Sequence, residues 1–386
     1  MEIIESTFWV LFGIIFYIYF GYLLFLVFLS LFYRKSTQNK ETYEPTVSII
    51  IAAYNEESII EQKIENTLML DYPKDKIEII VFSDASTDKT DEIIKRNAYR
   101  GIKLIRIEGR MGKTYCKNEA LKMAKGEIIV FSDANSIYEL QNIHVLVKHF
   151  KNPSVGCVSG ELRYINGKST VIAESIYWRY EQIVKHLESL ISSLTSANGA
   201  IYAVRKALYE PLPSTAIDDL AASLMIRQKG YKVLYESKAV AWEATAKTIS
   251  AEFHRRVRMV TRATYTLLWI PTFRSLLNPF KNFILACQIW SHKILRWLSG
   301  LFLIFLFICN IILVGKNWIY DFLMIVQIFF YLLAILGYMI PVVLGKKDIK
   351  LTHTAYYFCL SCIAMLTGFY NGLKKRTFII WTPNRQ

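Results

Sequence analysis

Hydrophobic residues follow two different patterns along this chain. Residues 8–33, 297–314, 318–344 and 351–370 are almost uncharged and apolar, and about 20 such residues let a helix cross ~30 Å of hydrocarbon. Between the first two of these runs, at about residues 46–267, short apolar stretches alternate with segments of helical periodicity. The patterns predict an N-terminal membrane anchor, a folded middle domain and a C-terminal group of membrane segments.

The middle region is predicted to fold as an α/β domain. Strands that alternate with helices usually form a mostly parallel sheet flanked by helices, and ligands bind beyond the carboxyl ends of its strands. The predicted strands are 47–52, 77–82, 102–107 and 127–131, and the predicted helices are 58–70, 88–98 and 117–124. The unusual polar clusters of this region stand at or near the strand ends, which makes them candidates for a binding site.

Composition and charge favour a membrane protein. Hydrophobic residues make up 53% of the chain, aromatic residues 14%, and the net charge is +14, whereas soluble chains are rarely so apolar. A positive excess is compatible with nucleic acid, anionic lipid or an anionic substrate, and anionic lipid requires no special site. A nucleic-acid binder would carry surface strands with aromatic and basic side chains, and the sequence shows no such strand.

The distribution of charge predicts a topology. Arg34 and Lys35 follow the first apolar run directly, so the positive-inside rule places residue 34 onward in the cytoplasm and the N-terminus outside. Three C-terminal spans would put the tail outside, whereas Lys374, Lys375 and Arg376 favour the cytoplasm. The prediction is a multi-pass protein of the inner or plasma membrane with a cytoplasmic middle domain. The number of C-terminal spans and the side of the tail stay open.

The segment after the middle domain has a mixed composition. Residues 273–296 combine apolar side chains with cations, which is typical of helices that lie in the membrane interface. The predicted organisation is an anchor at 1–35, a linker at 36–45, the folded domain at 46–267, interface helices at 268–296, membrane segments at 297–372 and a basic tail at 373–386.

The run IVFSDANS ends the fourth predicted strand with a carboxylate at Asp133 and an amide at Asn135. If the chain stays extended, both side chains point to the same side, because side chains repeat every two residues. A carboxylate at such a place can hold a divalent cation together with substrate phosphates. The alternative is an ordinary turn in which the aspartate caps a helix.

The second predicted strand ends in a similar cluster. Asp84 precedes the turn and helix cap predicted at Asp88, and it is expected to be free to accept a hydrogen bond from a ligand. Further along, Gly109-Arg-Met-Gly-Lys113 combines glycines with two cations. It lacks the spacing of a phosphate-binding loop, so it is weak evidence by itself.

Adjacent acids and a row of arginines are further candidates. Asp218 and Asp219 precede a helical pattern, where they either act chemically or complement the helix dipole. Arg255, Arg258 and Arg262 fall on one helix face at three- and four-residue spacing. Such a row suits a diphosphate, and attraction to an anionic membrane surface is the alternative.

Taken in order, these clusters resemble the membrane-bound family 2 glycosyltransferases, which include cellulose, chitin and hyaluronan synthases and many bacterial exopolysaccharide and glycolipid enzymes. The resemblance covers about residues 46–262 and extends to the flanking spans. It implies a GT-A fold and an inverting transfer from a nucleotide-sugar, expected to be a UDP-sugar, to a membrane-associated glycan or lipid. It also implies a divalent cation, Mg²⁺ or Mn²⁺. The matching stretches are SIIIAAYNEE, VFSDASTDKT, GKTYCKNEAL, FSDANS, ANGAIYAVRK and DDLAASLMIRQKGYKV.

The resemblance implies roles for individual residues. Asp219 would be the catalytic base, since it stands eleven residues before Gly230, as the base does before a Gly-Tyr pair in relatives. Asp133 and Asn135 would hold the metal, with Asn135 in place of the family's second acid. The nucleotide would contact Ala53, Tyr54, Glu56, Asp84, Lys113 and Asp133, the donor sugar and acceptor would contact Asn198, Gly199 and Asp218, and the diphosphate would contact Arg255 and Arg258.

One departure from the family pattern limits these expectations. Processive synthases carry Gln-x-x-Arg-Trp on the interface helix, where this chain has Arg255-Arg-Val-Arg-Met259. The arginine is kept as Arg258, but the tryptophan that helps hold a polymer acceptor is not, which weakens the case for polymer translocation. The alternative of a different class is a non-catalytic nucleotide-sugar-binding subunit of a polysaccharide export complex, which would not need both Asp133 and Asp219.

Overall fold

The computed structural model describes residues 1–33, 43–165, 171–244, 248–342 and 349–381. The strands of its middle region are β1 (Val47–Ala53), β2 (Ile77–Asp84), β3 (Ile102–Ile107), β4 (Ile128–Asp133), β5 (Ile137–Tyr138), β6 (Val155–Ile165), β7 (Ile201–Arg205) and β8 (Lys232–Ala244). They form one eight-stranded sheet with the order β3-β2-β1-β4-β7-β6-β8-β5.

Helices cover both faces of this sheet and continue beyond it. The helices are α1 (Glu2–Phe16), α2 (Tyr22–Ser30), α3 (Ile60–Leu68), α4 (Thr90–Arg96), α5 (Lys113–Met123), α6 (Asn142–Val147), α7 (Val171–Ile191), α8 (Asp218–Gln228), α9 (Ile249–Trp269), α10 (Pro271–Arg274), α11 (Phe283–Ile289), α12 (Leu295–Trp297), α13 (Ser299–Leu313), α14 (Trp318–Val342) and α15 (Lys350–Leu373). The side chains of β1 alternate between two cores: Ile50 and Ala52 pack with α5 and α8, whereas Ile49 and Ile51 pack with α3 and α6.

The four strands predicted from apolar runs form the parallel half of the sheet. β1 is parallel to both β2 and β4, and β3 is parallel to β2. Every residue of β1 is buried, as expected for a parallel strand with helices on both faces. The carboxyl ends of these strands lie side by side, so Ala53, Asp84 and Asp133 come to the same edge of the sheet.

The second half of the sheet is mixed. β7 is antiparallel to β4 and β6, β6 is parallel to β8, and β5 is antiparallel to β8. Four of the seven pairings between described strands are thus parallel, and the predicted α/β fold with a mostly parallel sheet is confirmed. Because β7 runs against β4, its start at Ile201 lies beside Ser132 near the end of β4. This reversal brings Asn198 and Gly199 to the edge that carries Asp133.

Some of the predicted membrane segments form helices that are apolar enough to span. Glu2–Ser30 and Trp318–Pro341 are long and apolar enough to cross a membrane. The pair Phe283–Trp297 and Ser299–Leu313, bent by 60°, makes a third if the two helices count as one span. These helices support a membrane protein with two or three spans among the described residues.

The last predicted span, at residues 351–370, lies in α15, which packs along α9. Two glycines allow the close approach: a Cβ at Gly368 would lie 2.7 Å from Cβ of Val260, and one at Gly372 would lie 2.5 Å from Cβ of Thr264. α15 is therefore attached to the helix that follows the sheet, and it is not among the helices that qualify as spans.

Two cations of the predicted interface helices are buried inside the protein and do not lie at a membrane surface. His292 and Arg296 are buried, with 4% and 5% exposed, and both pair with Glu181 of α7. They therefore face an internal acid and not a membrane surface. Arg34, Lys35, residues 36–42 of the predicted linker and residues 382–386 of the predicted tail lie outside the described residues.

Candidate active site

Asp84 holds the glycine-rich loop that follows β3. Its Oδ1 accepts a hydrogen bond from the backbone N–H of Met111 (2.7 Å) and its Oδ2 accepts one from Gly112 (3.1 Å). Arg110 lies 3.7 Å from the same carboxylate. Gly112 adopts φ +90°, which glycine tolerates without a Cβ clash. The expectation that Asp84 is free for a ligand is corrected, because the side chain is fully buried and both its oxygens are engaged.

An aromatic cluster forms at the end of the site that is predicted to bind the nucleotide. The guanidinium carbon of Arg110 lies 3.1 Å from the ring centroid of Tyr54, and its Nη2 donates to the carbonyl oxygen of Trp381 (2.6 Å). The ring of Trp381 lies 6.1 Å from that of Tyr54 and 6.5 Å from that of Phe82. The guanidinium of Arg110 thus contacts the ring of Tyr54 and lies near that of Trp381.

The C-terminal segment therefore crosses the candidate nucleotide site. Besides Trp381, Ile379 lies against the loop, and a Cβ at Gly112 would come within 2.8 Å of its Cγ2. From the sequence, residues 373–386 are predicted only as a basic tail. The apolar stretch Phe378-Ile-Ile-Trp381 directly after Lys374, Lys375 and Arg376 was the signal that this tail packs against the domain.

Asp133 ends β4 and forms an ion pair with Lys113 of α5 (2.5 Å). After Asp133 the chain turns, and the backbone N–H of Ser136 donates to the carbonyl of Asp133 (3.2 Å). The chain is therefore not extended through Asn135, as the prediction required. Strand periodicity then gives no reason for the side chains of Asp133 and Asn135 to point to the same side. Burial alone would lower the pKa of Lys113, but Asp133 and Asp218 raise it above its ordinary value, so this lysine stays charged.

Asp218 and Asp219 begin α8 and have opposite environments. Asp218 is buried and forms an ion pair with the buried amine of Lys117. Burial would raise the pKa of Asp218, but Lys117 and Lys113 lower it well below its ordinary value. Asp219 accepts a hydrogen bond only from the backbone N–H of Leu220 (2.7 Å) among the described residues. Burial and the charge of Asp218 raise its pKa. Asp219 is thus the more basic of the two carboxylates.

Gly199 shows how closely the predicted residues converge. A Cβ built on Gly199 would lie 3.3 Å from Oδ2 of Asp219 and 3.9 Å from Nζ of Lys113. Lys113 also pairs with Asp133, so Asp219 lies near the ion pair that contains the other predicted key acid. Asn198 is fixed beside them, since its backbone N–H donates to Ser159 Oγ (2.9 Å) and its Oδ1 accepts from Ala200 (3.1 Å).

The arginines of α9 differ from one another. Arg255 pairs with Glu252 (2.6 Å). Arg262 is buried and donates to Thr114 Oγ1 (3.0 Å), so it connects α9 to α5. Arg258 forms no hydrogen bond or ion pair with any residue that the structure describes. Burial and the neighbouring charges of Arg262 and Arg255 lower the pKa of Arg258. Because it has no partner among the described residues, Arg258 is the cation of this row that is available to an anion.

The remaining predicted nucleotide residues stand at the end of β1. Ala53 is fully buried as the last residue of the strand. Glu56 is 8% exposed, and its backbone N–H donates to Thr90 Oγ1 (2.8 Å). This bond connects the end of β1 to the start of α4. Of these residues, Tyr54 contacts the loop that Asp84 holds, through Arg110.

Two charged residues behind Asp133 were not predicted. Nζ of Lys63 donates to the carbonyl of Ser136 (2.5 Å), and Oγ of Ser136 donates to Glu243. Burial lowers the pKa of Lys63 to about 7, although Asp133 and Glu243 act in the opposite direction. These groups fix the turn after β4. They could not be found from sequence because Glu243 comes from the end of β8, far along the chain.

Comparison with known proteins identifies the family. Residues 48–208 match the model for "Glycosyl transferase family 2". These residues therefore form a family 2 glycosyltransferase domain. The family predicted from the order of motifs is thereby confirmed.

The glycosyltransferase is similar to curated bacterial proteins over much of its length. It is 28% identical over 274 residues to a poly-beta-1,6-N-acetyl-D-glucosamine synthase of Staphylococcus epidermidis, a match that covers 66% of this chain and 65% of that protein. It is 26% identical over 221 residues to the protein of the same name from Staphylococcus aureus strain COL, covering 55% and 53%. The glycosyltransferase thus spans from about half to just under two thirds of these relatives.

A solved structure supports the fold over nearly the full length. The mannosyltransferase PcManGT from Pyrobaculum calidifontis, solved in complex with GDP-Man and Mn²⁺, superposes with a TM-score of 0.71 at 20% sequence identity. The superposition covers 97% of this chain and 99% of that one. The glycosyltransferase therefore has the predicted GT-A fold, joined to helices outside the sheet.

Proposed function

We propose that the enzyme transfers a sugar from a nucleotide-sugar, with inversion, to a membrane-associated glycan or lipid in exopolysaccharide or glycolipid synthesis. The observation that supports this proposal is the position of Asp219 beside Gly199 and near the ion pair of Lys113 and Asp133. One group of residues thereby offers a base to an acceptor hydroxyl and positive charge to a leaving diphosphate. A non-catalytic binding subunit would need no basic carboxylate at this place.

In this mechanism Asp219 removes the proton of the attacking hydroxyl. The hydroxyl oxygen forms the new bond to the anomeric carbon while the bond to the nucleoside diphosphate breaks on the opposite face. A raised pKa suits a general base, since proton transfer is most effective when the pKa of the base approaches the working pH. Asp218 supports this role, because its charge contributes to the raised pKa of Asp219 while it is itself neutralised by Lys117.

Positive charge for the leaving group comes from Lys113 and Arg258. Lys113 pairs with Asp133, and this pair is partly exposed, with 15% and 29% of the two side chains accessible. A diphosphate can therefore reach Lys113 and either replace Asp133 as its partner or bind the ammonium group together with Asp133. Arg258 has no such partner among the described residues and is free to form charge-assisted hydrogen bonds. Preorganised cations of this kind stabilise charge that develops in the transition state.

The residues fit a divalent cation that is held jointly by the protein and by the phosphates of the nucleotide-sugar donor. In the described part of the chain, no group of three or more His, Cys, Asp or Glu side chains is arranged to hold a metal. Mg²⁺ at nucleotide sites, however, commonly takes one or two carboxylates together with substrate phosphates. Asp133 would supply the carboxylate and Asn135 an amide oxygen. When bound, such an ion supplies charge that stabilises the leaving diphosphate.

The metal assignment has a direct test. We expect Asp133→Ala to lose the Mn²⁺-dependent part of the affinity for UDP, because its carboxylate joins the ion to the protein. Calorimetric titration of UDP with and without Mn²⁺ measures this part without any turnover. If the difference between the two titrations is the same in the variant, Asp133 does not belong to the metal site.

The helices outside the sheet support an acceptor at a membrane. Trp381 contacts Tyr54 and Arg110, so the C-terminal segment lies on the same side as the catalytic domain. If α1–α2 and α14 span, together with α11–α13 as one bent span, α15 returns along α9 without crossing. This arrangement is consistent with the cytoplasmic catalytic domain and with the basic residues Lys374 and Lys375 on the cytoplasmic side.

The donor is the first property to determine. The names of the curated relatives make UDP-N-acetylglucosamine the first donor to test, followed by other UDP-hexoses and GDP-mannose. Purified full-length protein in detergent, with a membrane extract as acceptor, should release nucleoside diphosphate with one donor and place the sugar in a lipid-extractable or exported product. Release from no donor, with or without divalent cations, would contradict the proposed function.

A further inference from the structure

The turn after β4 is held from behind by two polar side chains of α3. Nζ of Lys63 donates to the carbonyl of Ser136 (2.5 Å) and lies 3.9 Å from the ring centroid of Tyr138. Asn66, three residues later on the same helix face, forms two hydrogen bonds with the backbone of Tyr138. Its Nδ2 donates to the carbonyl oxygen (2.8 Å), and its Oδ1 accepts from the N–H (2.8 Å). α3 therefore fixes the backbone at both Ser136 and Tyr138.

This turn carries the residues that are proposed to hold the cation. The backbone N–H of Ser136 donates to the carbonyl of Asp133 (3.2 Å), and Asn135 lies between these two residues. The hydroxyl of Ser136 donates to Glu243 at the end of β8. The turn is thus anchored on one side by Lys63 and on the other by Glu243, and the position of Asp133 depends on both anchors.

The hydroxyl of Tyr138 connects this turn with the side of the candidate base. It donates to the carbonyl of Ala200 (3.0 Å) and lies 3.2 Å from the carbonyl oxygen of Phe131 in β4. Ala200 directly follows Gly199, which lies beside Asp219. One tyrosine therefore joins the end of β4 to the loop before β7, and the lysine that contacts its ring fixes the turn of Asp133.

The burial of Lys63 is not explained by stability alone. Lys63 is 0% exposed and Tyr138 is 3% exposed. Removing an ammonium group from water has a large free-energy cost, and the hydrogen bond of Lys63 goes to a neutral carbonyl. An apolar side chain of similar length would fill the same space at a lower cost. The amine is therefore expected to serve the geometry of the turn.

We propose that Lys63 and Tyr138 are positioning residues of this active site. Lys63 fixes the turn that presents Asp133 to the donor and its cation. Tyr138 holds the loop of Gly199 at a fixed distance from that turn. The inference rests on the proposed function and adds two residues that act through the backbone. A displacement of about 1 Å can lower a rate by about 10²-fold, so such contacts can control both binding and turnover.

Lys63→Met tests the donor side, because it keeps the length of the side chain and removes the amine. We expect the Mn²⁺-dependent part of the UDP affinity to fall about tenfold, roughly the contribution of one hydrogen bond from a charged group. The affinity without Mn²⁺ should stay the same. Calorimetric titration of the full-length protein in detergent measures both. Lys74→Met is the matched control, since Lys74 also donates to backbone carbonyls, those of Leu68 and Leu70, at the C-terminal end of α3.

Tyr138→Phe tests the other side, because it keeps the ring next to Lys63 and removes only the hydroxyl. The turn of Asp133 stays anchored, so the UDP affinity with Mn²⁺ should not change. The loop before β7 loses a contact, so kcat should fall roughly tenfold. Tyr72→Phe is the matched control, since the buried hydroxyl of Tyr72 donates to the carbonyl of Pro45 (2.6 Å) just before β1. It should leave kcat unchanged.

Two further variants separate positioning from a loss of folding. Lys63→Arg keeps a cationic donor and should retain most of the Mn²⁺-dependent affinity. Ser136→Ala frees the same turn from Glu243 and should lower the same part of the affinity, so it replaces Lys63→Met if that variant does not fold. An unchanged Mn²⁺-dependent part in Lys63→Met or in its replacement, or an unchanged kcat in Tyr138→Phe, would overturn the proposal.

The positioning roles and the proposed function fail in different ways. If UDP binding by the wild type depends on Mn²⁺ and on Lys63 but no donor is turned over, the proposed function is wrong and the role of Lys63 stands. If donor turnover is normal and the variants of Lys63, Tyr138 and Ser136 match the wild type in affinity and kcat, only the positioning roles are wrong.

Discussion

The active site and the wall of buried charges behind it use the same residue types in opposite ways. In the wall, Glu181, Glu188, His292 and Arg296 are each less than 10% exposed and are bound to one another or to Tyr22. In the active site, Asp133 pairs with a lysine while 29% of its side chain stays accessible. The first arrangement is closed to a ligand, and the second is open to one.

Charged residues therefore have different roles in the two regions: in the wall they stabilise the fold, and in the active site they are available to a substrate. A buried charge without a partner costs several kcal/mol, so the wall is expected to be complete in itself. In the active site the charged side chains can exchange partners, because Lys113 forms an ion pair with Asp133 and also lies near Asp219. Perturbed carboxylates in a cleft are candidates for catalysis, whereas saturated buried pairs are expected to stabilise the fold. Each of the following changes tests one side of this division.

The largest effect is expected for Asp219→Asn. An amide has nearly the same shape but cannot remove a proton, so kcat should fall by about 10²–10⁴-fold. UDP affinity should stay the same, because Asp219 lies on the acceptor side of the site. Initial rates and UDP titrations on the same preparation measure both quantities. Turnover close to that of the wild type would show that another group is the base.

The parallel half of the sheet could be predicted from sequence because each strand there is buried on both faces. A continuous apolar run such as residues 47–52 then has few alternatives. The mixed half could not be predicted in the same way. β6 and β8 pair with irregular register near Val155 and Ser159, and the direction of β7 depends on contacts with β4 that lie far apart in the chain.

The residues of the site that belong to short sequence motifs could be predicted. Asp133, Asp219 and Gly199 each stand in a local pattern, and the reversal of β7 brings them together. The contact between Trp381 and Tyr54 joins residues that lie far apart in the chain, and no periodicity encodes it. The same reason explains His292, whose partner Glu181 lies 111 residues earlier. The mixture of apolar and basic residues alone predicted that His292 lies in a helix at the membrane surface.

Glu188→Ala tests the structural side of the comparison. The change removes the hydrogen-bond acceptor of Tyr22 and one carboxylate partner of buried His292. Breaking a buried pair of this kind usually costs about 3–5 kcal/mol of unfolding free energy. Thermal and denaturant unfolding in detergent should show the loss, with UDP affinity retained at low temperature.

Glu61→Gln is the matched control for this change. It removes an acid whose ion pair with Arg96 is exposed, with 56% and 65% of the two side chains accessible. Exposed pairs contribute little to stability. If both variants unfold at the same denaturant concentration, the wall of buried charges does not stabilise the fold as we infer.

Lys113→Gln sharpens the comparison on the catalytic side. Burial and Asp218 raise the pKa of Asp219, while Lys113 lowers it. The base must be ionised to act, so kcat/KM should fall as the pH drops through the raised pKa. Without Lys113 that pKa rises further, and the acid limb of the profile should move to higher pH. A limb at the same pH in both proteins would mean that Lys113 does not interact with the base.

The smallest effect is expected for Trp381→Ala at the nucleotide end of the site. The guanidinium of Arg110 lies 3.1 Å from the ring centroid of Tyr54 and 5.6 Å from that of Trp381, and we expect a nucleotide base to use the same aromatic side chains. Stacking on an aromatic side chain contributes roughly 1–3 kcal/mol for a base. Because the ring of Tyr54 remains, we expect a loss of about 1 kcal/mol, so UDP affinity should fall about fivefold. Calorimetric titration measures it, with Tyr99→Ala as a control at an exposed aromatic residue. Tighter binding in Trp381→Ala would show instead that the C-terminal segment competes with the nucleotide for this slot.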